Sequence, residues 1–135
     1  MTNDAGRLML LDTASLYFRA FFGVPDSITS PKGEPVNAVR GLLDFIARLV
    51  GEYQPTDLVC CWDNDWRPAW RVALIPSYKG HRVVAERPGP KPDIEEVPDP
   101  LQAQIPVILE VLVALGITVV GADGYEADDV IGTLA

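Results

Sequence analysis

Three short apolar runs alternate along the chain with longer stretches in which apolar residues recur at helical spacing. The runs at 8–11, 57–62 and 117–120 have the length and the largely apolar character of strands that are buried on both faces. The helical spacing is clearest at 36–53 and 101–115. Further helices are predicted at 13–22, 66–78 and 126–135, and the one at 66–78 is weak because prolines interrupt it.

This alternation of strands and helices predicts an α/β fold. Buried strands that are joined through helices form a parallel sheet, with helices packed on both faces. Ligands of such sheets bind outside the carboxyl ends of the strands. All three predicted strands run into acidic residues at that edge, namely Asp12, Asp63 and the group at 123–129.

Two stretches lack regular periodicity. Residues 23–35 form a loop that contains three prolines and two glycines. Residues 83–100 contain five prolines and several acids, and this composition predicts an irregular, mobile and solvent-exposed connection. The length of 135 residues corresponds to a single domain, and no internal repeat is evident.

The composition, 48% hydrophobic and 22% charged residues, is typical of a soluble globular domain. We find no secretory pattern and no apolar run long enough to span a bilayer, so we expect no membrane association. The two cysteines, Cys60 and Cys61, are adjacent in a predicted strand and would point to opposite faces. We therefore expect two buried free thiols and a reducing, cytoplasmic location.

The net charge of −8 argues against a general nucleic-acid-binding protein, because such proteins usually carry a basic face. It does not exclude a metal-dependent nuclease, since that kind of site concentrates carboxylates and bound cations reverse the local sign of the charge. The charge is also uneven. Between Trp66 and Arg87 the chain has five basic residues and one acid, and the acidic excess lies elsewhere.

The acids at the predicted sheet edge have the character of a metal site. Glu126, Asp128 and Asp129 place three carboxylates in four residues at the start of a helix, where they would repel one another without a cation. Oxygen ligands of this kind suit Mg²⁺ or Mn²⁺ rather than zinc. Helix capping alone could explain the cluster, but Asp12 and Asp63 at neighbouring strand ends favour metal ligation by all five residues.

Structural roles remain open for several of these acids. Asp12 could cap the helix that follows it, and Asp63 could serve in an Asp-Asn-Asp turn. For Asp65 and Asp123 we favour the turn role over metal binding.

A basic group follows the second strand in the sequence Tyr-Lys-Gly-His-Arg at 78–82. Lys79 and Arg82 are three residues apart and would share one face of a helix, with Arg71 close to that face. Such cations could grip a phosphate group, although a solvated basic surface explains them equally well. Trp66 and Trp70 are interpreted as packing residues rather than as base-stacking residues.

Several of these stretches match a known family. The chain resembles the amino-terminal half of bacterial 5′–3′ exonucleases of the flap-endonuclease type, which has a resolvase-like, PIN-type fold and occurs also in the 5′-nuclease domain of DNA polymerase I. The motifs occur in the family's order, and together they are highly specific. The matching stretches are 10–22, 33–43, 62–63, 70–71, 78–82 and 124–135.

The resemblance implies a metal-dependent DNA hydrolase. It implies that Lys79 and Arg82 contact the scissile phosphate at the base of a helical arch, that Arg71 belongs to the same basic group, and that Arg19 lies near the DNA. The implied cofactor is a pair of Mg²⁺ or Mn²⁺ ions, and the implied substrate is DNA with a 5′ flap, a nick or a free 5′ end. A monomer that is fused to DNA polymerase I or cooperates with it would fit. The acids matching the family's metal cluster are Asp12, Asp63, Glu126, Asp128 and Asp129.

The chain departs from the family's pattern in three respects. The segment at 83–100 is longer and richer in proline than the usual arch, so threading of a free 5′ end is in question. The stretch at 63–71 is one residue longer than usual, which affects the placement of Arg71. The sequence ends at Ala135, before the family's second group of metal aspartates and its helix–three-turn–helix. We therefore interpret residues 1–135 as the amino-terminal part of a catalytic domain and expect negligible cutting by it alone.

Two other functions remain open. A compact PIN-like ribonuclease uses a similar acid cluster on a similar sheet, although the motifs at 33–43 and 78–82 favour the DNA enzyme. A degenerate domain could bind flap DNA or a replication partner without cutting, although the complete set of acids in the part present argues against degeneration.

Overall fold

A computed structural model of the chain describes residues 5–87 and 91–135. Its centre is a three-stranded parallel sheet of β1 (Leu8–Asp12), β2 (Asp57–Trp62) and β5 (Thr118–Gly121), in the order β1-β2-β5. Two short strands, β3 (Val83–Ala85) and β4 (Ile94–Glu95), form a separate antiparallel hairpin. The helices are α1 (Thr13–Gly23), α2 (Asn37–Tyr53), α3 (Ala69–Leu74), α4 (Asp99–Ala114) and α5 (Ala127–Leu134).

Helices cover both faces of the sheet, as predicted. The larger core lies on one face, where Leu11 and Cys60 pack against buried residues of α1, α2 and α4. The smaller core lies on the other face, where Cys61 packs against Ala127 and Val130 of α5. The adjacent cysteines therefore do point to opposite faces, and both are buried free thiols.

A buried polar network fixes the start of α2 against α4. The Gln104 side chain accepts hydrogen bonds from the backbone amides of Ala38, at 2.8 Å, and Val39, at 3.3 Å. It donates to Asn37 Oδ1 at 2.8 Å, and Asn37 in turn donates to the carbonyls of Phe21 and Val24. Because these groups are buried, the network satisfies amides at a helix start that no water can reach.

The predicted helix at 66–78 is wrong at both ends. Pro68 is the residue preceding α3, and the helix stops at Leu74, two residues before Pro76. Lys79 adopts a left-handed backbone conformation with φ of 50°, and the next three residues form a short 3-10 helix, Gly80–Arg82. Lys79 and Arg82 therefore do not share the face of an α-helix.

The expectation of an irregular connection at 83–100 is also wrong for the described part, whereas its exposure is confirmed at residues such as Val84, Glu86 and Lys91. β3 and β4 pair with each other, and the Glu96 amide donates to the Arg82 carbonyl at 2.7 Å. α4 begins at Asp99, immediately after Pro98. Residues 88–90 lie outside the described residues, so the expectation for them stays a prediction.

In the part of the chain that the structure describes, no helix is both long enough and apolar enough to cross a membrane.

Candidate metal and phosphate site

The carboxyl edge of the sheet gathers acids from three separate elements. β1 ends at Asp12, which lies opposite Cys61 in β2, and Asp63 follows directly after the last residue of β2. Asp63 Oδ1 accepts a hydrogen bond of 2.7 Å from the amide of Ala127, the first residue of α5. The start of α5 is thereby held at the end of β2, and the acids of its first turn are brought to the same edge.

Asp12 and Asp128 face each other across this edge. Asp12 caps α1, accepting from the Ser15 amide at 3.3 Å and from the Ser15 hydroxyl at 3.0 Å. Asp128 lies in the first turn of α5 and lines the same cleft as Asp12. Partial burial raises the pKa of Asp128, and the negative charge of Asp12 raises it further. The helix-capping role that the sequence left open for Asp12 is thus real and coexists with its position beside Asp128.

Asp63 likewise forms no ion pair among the described residues, although the charge of Lys79 compensates it in part. Burial raises its pKa, the hydrogen bond from the Ala127 amide opposes that rise, and the charge of Asp12 adds to it. Three carboxylates, those of Asp12, Asp63 and Asp128, therefore stand near one another with unfavourable charge. Such a set is suited chemically to a hard divalent cation.

Glu126 has a different environment. It is almost fully buried, with 1% of its surface exposed, and its carboxylate accepts hydrogen bonds from Tyr78 Oη at 2.9 and 2.7 Å. The Lys79 ammonium and the Arg71 guanidinium also contact it directly. Burial alone would lower the pKa of Lys79, but the bonds to Glu126 and Tyr78 outweigh it, and the pKa is raised.

Asp129 completes this second group. Its Oδ1 lies 2.6 Å from Arg71 Nη2 and its Oδ2 lies 3.3 Å from Arg71 Nη1, a two-pronged ion pair. Asp129 Oδ2 also accepts from the Glu126 amide at 3.0 Å, and the two residues form a capping box at the start of α5. Burial opposes ionisation of Asp129, but the bonds from Arg71 and the Glu126 amide outweigh it and lower the pKa.

The predicted cluster therefore divides into two parts. Asp12, Asp63 and Asp128 face solvent and one another, whereas Glu126 and Asp129 are held by basic side chains. Within residues 5–87 and 91–135, no three acidic, histidine or cysteine side chains converge closely enough to enclose one ion in this arrangement. The donor set and the crowded charge fit a divalent cation, but Glu126 would have to release Lys79 and Arg71 before it could join the ligands.

A cleft of about 510 Å³ opens in front of these acids. Asp12, Asp63 and Asp128 line it together with Lys79 and Arg82, so the structure brings both cations of the 78–82 motif to the acidic edge. Arg71 lies beside the cleft on Glu126 and Asp129. Arg19 is on the exposed side of α1 and is not among the described residues that line the cleft.

Two residues of the site were missed by sequence reasoning. Tyr78 holds the Glu126 carboxylate, and its place next to Lys79 in a matched motif was the available signal. Glu95 lines the cleft from β4, where burial raises its pKa against the opposing charge of Arg82. No sequence pattern marks Glu95, because it reaches the cleft only through the β3–β4 hairpin.

Other predicted roles agree with the structure. Asp65 Oδ1 accepts from the Arg67 amide at 3.0 Å, and Asp123 accepts from the Asn64 side chain at 3.0 Å, both in loops beside the site. Trp70 packs against Tyr125, and its indole donates to the Gly124 carbonyl. Trp66 donates to the Asp93 carbonyl at 2.7 Å. Of these residues, Trp66 lines the cleft in front of the acids.

Comparison with known proteins places the chain among nucleases. The family model described as the 5′-3′ exonuclease, N-terminal resolvase-like domain, matches residues 7–135. A 5′-3′ exonuclease of Streptomyces coelicolor is 71% identical over 125 residues, which make up 93% of this chain and 41% of the relative. A 5′-3′ exonuclease of Mycobacterium tuberculosis is 58% identical over 128 residues, which are 95% of this chain and 40% of that protein.

A DNA polymerase I of Mycobacterium tuberculosis is also similar. It is 38% identical over 129 residues, which are 95% of this chain and 13% of the polymerase. The chain thus spans about two fifths of the exonuclease relatives and a much smaller share of the polymerase.

Proposed function

The chain belongs to the family of 5′-3′ exonuclease N-terminal, resolvase-like domains, and from this premise we propose that it supplies the metal-binding and phosphate-binding half of a nuclease that hydrolyses DNA phosphodiesters with two divalent cations. The observation that carries the proposal is the meeting of Asp12, Asp63 and Asp128 at one sheet edge, in a cleft that also holds Lys79 and Arg82.

The proposed cofactors are Mg²⁺ or Mn²⁺ ions. Asp12, Asp63 and Asp128 would hold them first, because their charges have no cationic partner at short range among the described residues. Glu126 and Asp129 would contribute after release from Arg71 and Lys79. Divalent cations at such a site supply an activated water and stabilise the charge on the leaving oxygen.

The basic residues would bind the DNA backbone. Lys79 and Arg82 line the cleft and would neutralise charge on the scissile phosphate. Arg71, once released from Glu126 and Asp129, would join them, and Arg19 on α1 would contact the backbone farther from the site. A phosphate entering the cleft would therefore compete with Glu126 for Lys79.

The proposed substrate is DNA with a 5′ flap, a nick or a free 5′ end. The similarity to a DNA polymerase I supports a role in replication or repair, either beside such a polymerase or fused to it. We further propose that the protein acts as a monomer in the cytoplasm.

Cutting would require more than the residues present in this chain. The relatives named 5′-3′ exonuclease are more than twice as long as the region that matches. We propose that the remaining part carries further metal aspartates and a duplex-binding helix–three-turn–helix. The chain alone, with a net charge of −8, would bind duplex DNA weakly because few phosphates could be neutralised.

The test compares two proteins on a flap substrate labelled at its 5′ end, with Mn²⁺. One protein is this chain, and the other is this chain joined to the carboxyl-terminal part of the Streptomyces coelicolor relative, hereafter the extended protein. We expect metal-dependent cutting by the extended protein only. Robust cutting by residues 1–135 would refute the need for the second part.

Two controls separate the alternatives. Binding of the flap without any cutting by the extended protein would favour the non-catalytic binding module. Preference for a single-stranded RNA of the same sequence would favour the PIN-like ribonuclease.

A further inference from the structure

Arg67 is a buried charge that the proposed site does not use. Only 4% of its surface is exposed, and its guanidinium is bonded on every side. Nε donates to the Tyr78 carbonyl at 2.8 Å, and Nη2 donates to the Pro76 carbonyl at 3.4 Å. Nη1 lies 2.7 Å from Asp93 Oδ2 and 3.3 Å from Glu86 Oε1. Leaving the buried guanidinium unpaired would cost much free energy. The carbonyls and carboxylates that bond to it are therefore held in one arrangement around Arg67.

Asp93, the residue before β4, pairs with Arg67 and holds this segment against it. Only 16% of its side chain is exposed, whereas Glu86 is largely in solvent, so Asp93 is the main anionic partner of Arg67. Its second carboxylate oxygen accepts from the Arg87 amide at 3.0 Å, and its carbonyl accepts from the Trp66 indole at 2.7 Å. The segment is thus fastened to two consecutive residues, Trp66 and Arg67.

The same two residues hold the Tyr78–Lys79 unit. Arg67 binds the main chain at Tyr78, and the Trp66 carbonyl accepts from the Lys79 ammonium at 2.9 Å. Lys79 has a left-handed backbone, with φ of 50°, which costs energy for a residue with a side chain. The surrounding hydrogen bonds must therefore hold the backbone of Lys79 in that conformation. One of them is the bond from Arg67 to the carbonyl of Tyr78, the residue before Lys79.

We infer that Arg67, fixed by Asp93, is a positioning residue that sets where the Lys79 ammonium stands in the cleft. The inference rests on the proposed function, since it assigns Lys79 to the phosphate. The pair joins the loop after β2 to the segment before β4, so that this segment supports a residue of the site.

A first experiment measures the position of Lys79 without any cutting. The chain has three lysines, Lys32, Lys79 and Lys91, so trace acetylation followed by mass spectrometry reports each one separately. Lys79 is protected by its bonds, and the exposed Lys32 serves as the internal reference. In Arg67→Ala we expect the ratio of Lys79 to Lys32 labelling to rise about threefold or more, because local opening exposes the ammonium.

The controls separate positioning from unfolding. Arg40→Ala removes an arginine whose only described ion pair, with Asp44, is exposed, and it should leave the labelling ratio unchanged. Asp93→Asn keeps the size of the side chain and should raise the ratio in the same direction as Arg67→Ala. If Arg67→Ala does not fold, as judged by circular dichroism, Asp93→Asn alone decides. An unchanged labelling ratio in folded Asp93→Asn would overturn the inference.

A second experiment uses turnover by the extended protein. Asp93→Asn should lower kcat by roughly tenfold and leave KM within about twofold, because a small displacement of a catalytic group affects the chemical step more than binding. Combined with Lys79→Ala, it should cause no further loss, since it acts through Lys79. Additive losses in the double variant would overturn the inference. Absence of cutting by the unmodified extended protein would refute the proposed function instead, and the labelling experiment would still stand.

Discussion

Charge is distributed unequally among the acids of the site. Glu126 and Asp129 face Arg71 and Lys79, so two negative charges meet two positive ones, and Tyr78 adds a neutral donor. Asp12, Asp63 and Asp128 carry up to three negative charges without such partners. A phosphate could not approach these three until cations bound there, because bound cations reverse the local sign of the field. Metal binding would thus precede productive DNA binding.

Lys79 is the residue whose loss should separate chemistry from binding. In the extended protein, Lys79→Ala should slow cutting by about 10²–10³-fold, because a donor aimed at developing charge is worth most in the transition state. The enzyme concentration that gives half the maximal single-turnover rate should change by only about threefold, since other basic residues still bind the DNA backbone. The measurement is single-turnover cutting of a labelled flap at increasing enzyme concentration.

Lys32→Ala is the matched control for that variant, because Lys32 is exposed and lies in the loop before α2. It should leave both quantities unchanged. A Lys79→Ala protein that cuts at the normal maximal rate but binds far more weakly would assign Lys79 to binding alone.

Gln104 should matter for stability rather than for chemistry. Its replacement by Ala leaves the buried amides of Ala38 and Val39 and the Oδ1 atom of Asn37 without their described partner. We expect a loss of about 2–3 kcal/mol in the free energy of unfolding, measured by urea denaturation. Gln102→Ala on the same helix is the control, because Gln102 is exposed, and its effect should stay within about 0.5 kcal/mol.

Helix α1 is positioned by close contact with α2, and this contact depends on Gly41. A Cβ at Gly41 would lie 2.7 Å from the Ala20 Cβ and 2.8 Å from Val24 Cγ2. α1 begins directly after Asp12, so its placement also affects the orientation of that carboxylate. The spacing between these two helices is therefore part of the support of the site.

Replacement of two glycines of α2 by alanine should change the free energy of unfolding in opposite directions. Gly41→Ala should destabilise the protein by about 1–3 kcal/mol, because the added methyl group overpacks the interface with α1. Gly51→Ala has open space around it and should stabilise by up to about 1 kcal/mol through better helix propensity. Urea denaturation of both variants measures the difference, and equal effects would contradict the packing argument.

The main elements could be predicted from the sequence because their signals are local. The apolar strands β1, β2 and β5 and the periodic helices α2 and α4 lie close to where the pattern placed them. The bounds of the short α3 and the presence of the β3–β4 hairpin could not be predicted, because they depend on contacts between residues far apart in the chain. The Trp66 and Arg67 bonds to Asp93 span 27 and 26 residues and leave no periodic trace.

The site could be predicted only to the level of which residues meet. The prediction of a parallel sheet and the carboxyl-edge rule were enough to bring Asp12, Asp63 and Asp128 together. The partners of each acid could not be predicted, because they depend on side-chain conformations and on the loop that carries Tyr78 and Lys79. Sequence reasoning treated the five acids as one cluster, whereas the structure divides them into two environments.

At the scale of the whole molecule, a net charge of −8 has to coexist with a proposed DNA substrate. The cations that face the acidic edge are few, so non-specific attraction to DNA should be weak for this chain. Divalent cations would change that balance at the site itself, and their binding should also be visible in the stability of the fold, because the unfolded chain has no assembled cluster.

Metal should therefore stabilise the chain through Asp128. The raised pKa of the Asp128 carboxyl means that its contribution to stability is present at low pH and is lost as the pH rises through the folded-state pKa. At pH 7.5 the ionised carboxyl destabilises the metal-free fold, so Asp128→Asn should melt at a higher temperature than the unmodified chain. With Mn²⁺ at about five times its Kd, the unmodified chain should gain roughly 1 kcal/mol, or about 4 °C in Tm, and the variant should gain much less.

The measurement is thermal unfolding by circular dichroism, with and without Mn²⁺ at constant ionic strength, so that general screening cancels. Asp44→Asn is the matched control, because Asp44 is exposed on α2 and its described ion pair is with Arg40. It should keep the full response to Mn²⁺. If Asp128→Asn gains as much stability from Mn²⁺ as the unmodified chain, the ion binds elsewhere, and the assignment of Asp128 as a ligand fails. If the metal-free variant also melts no higher than the unmodified chain, the charges of Asp12 and Asp128 do not oppose folding, and the electrostatic reason for a cation at this edge fails with it.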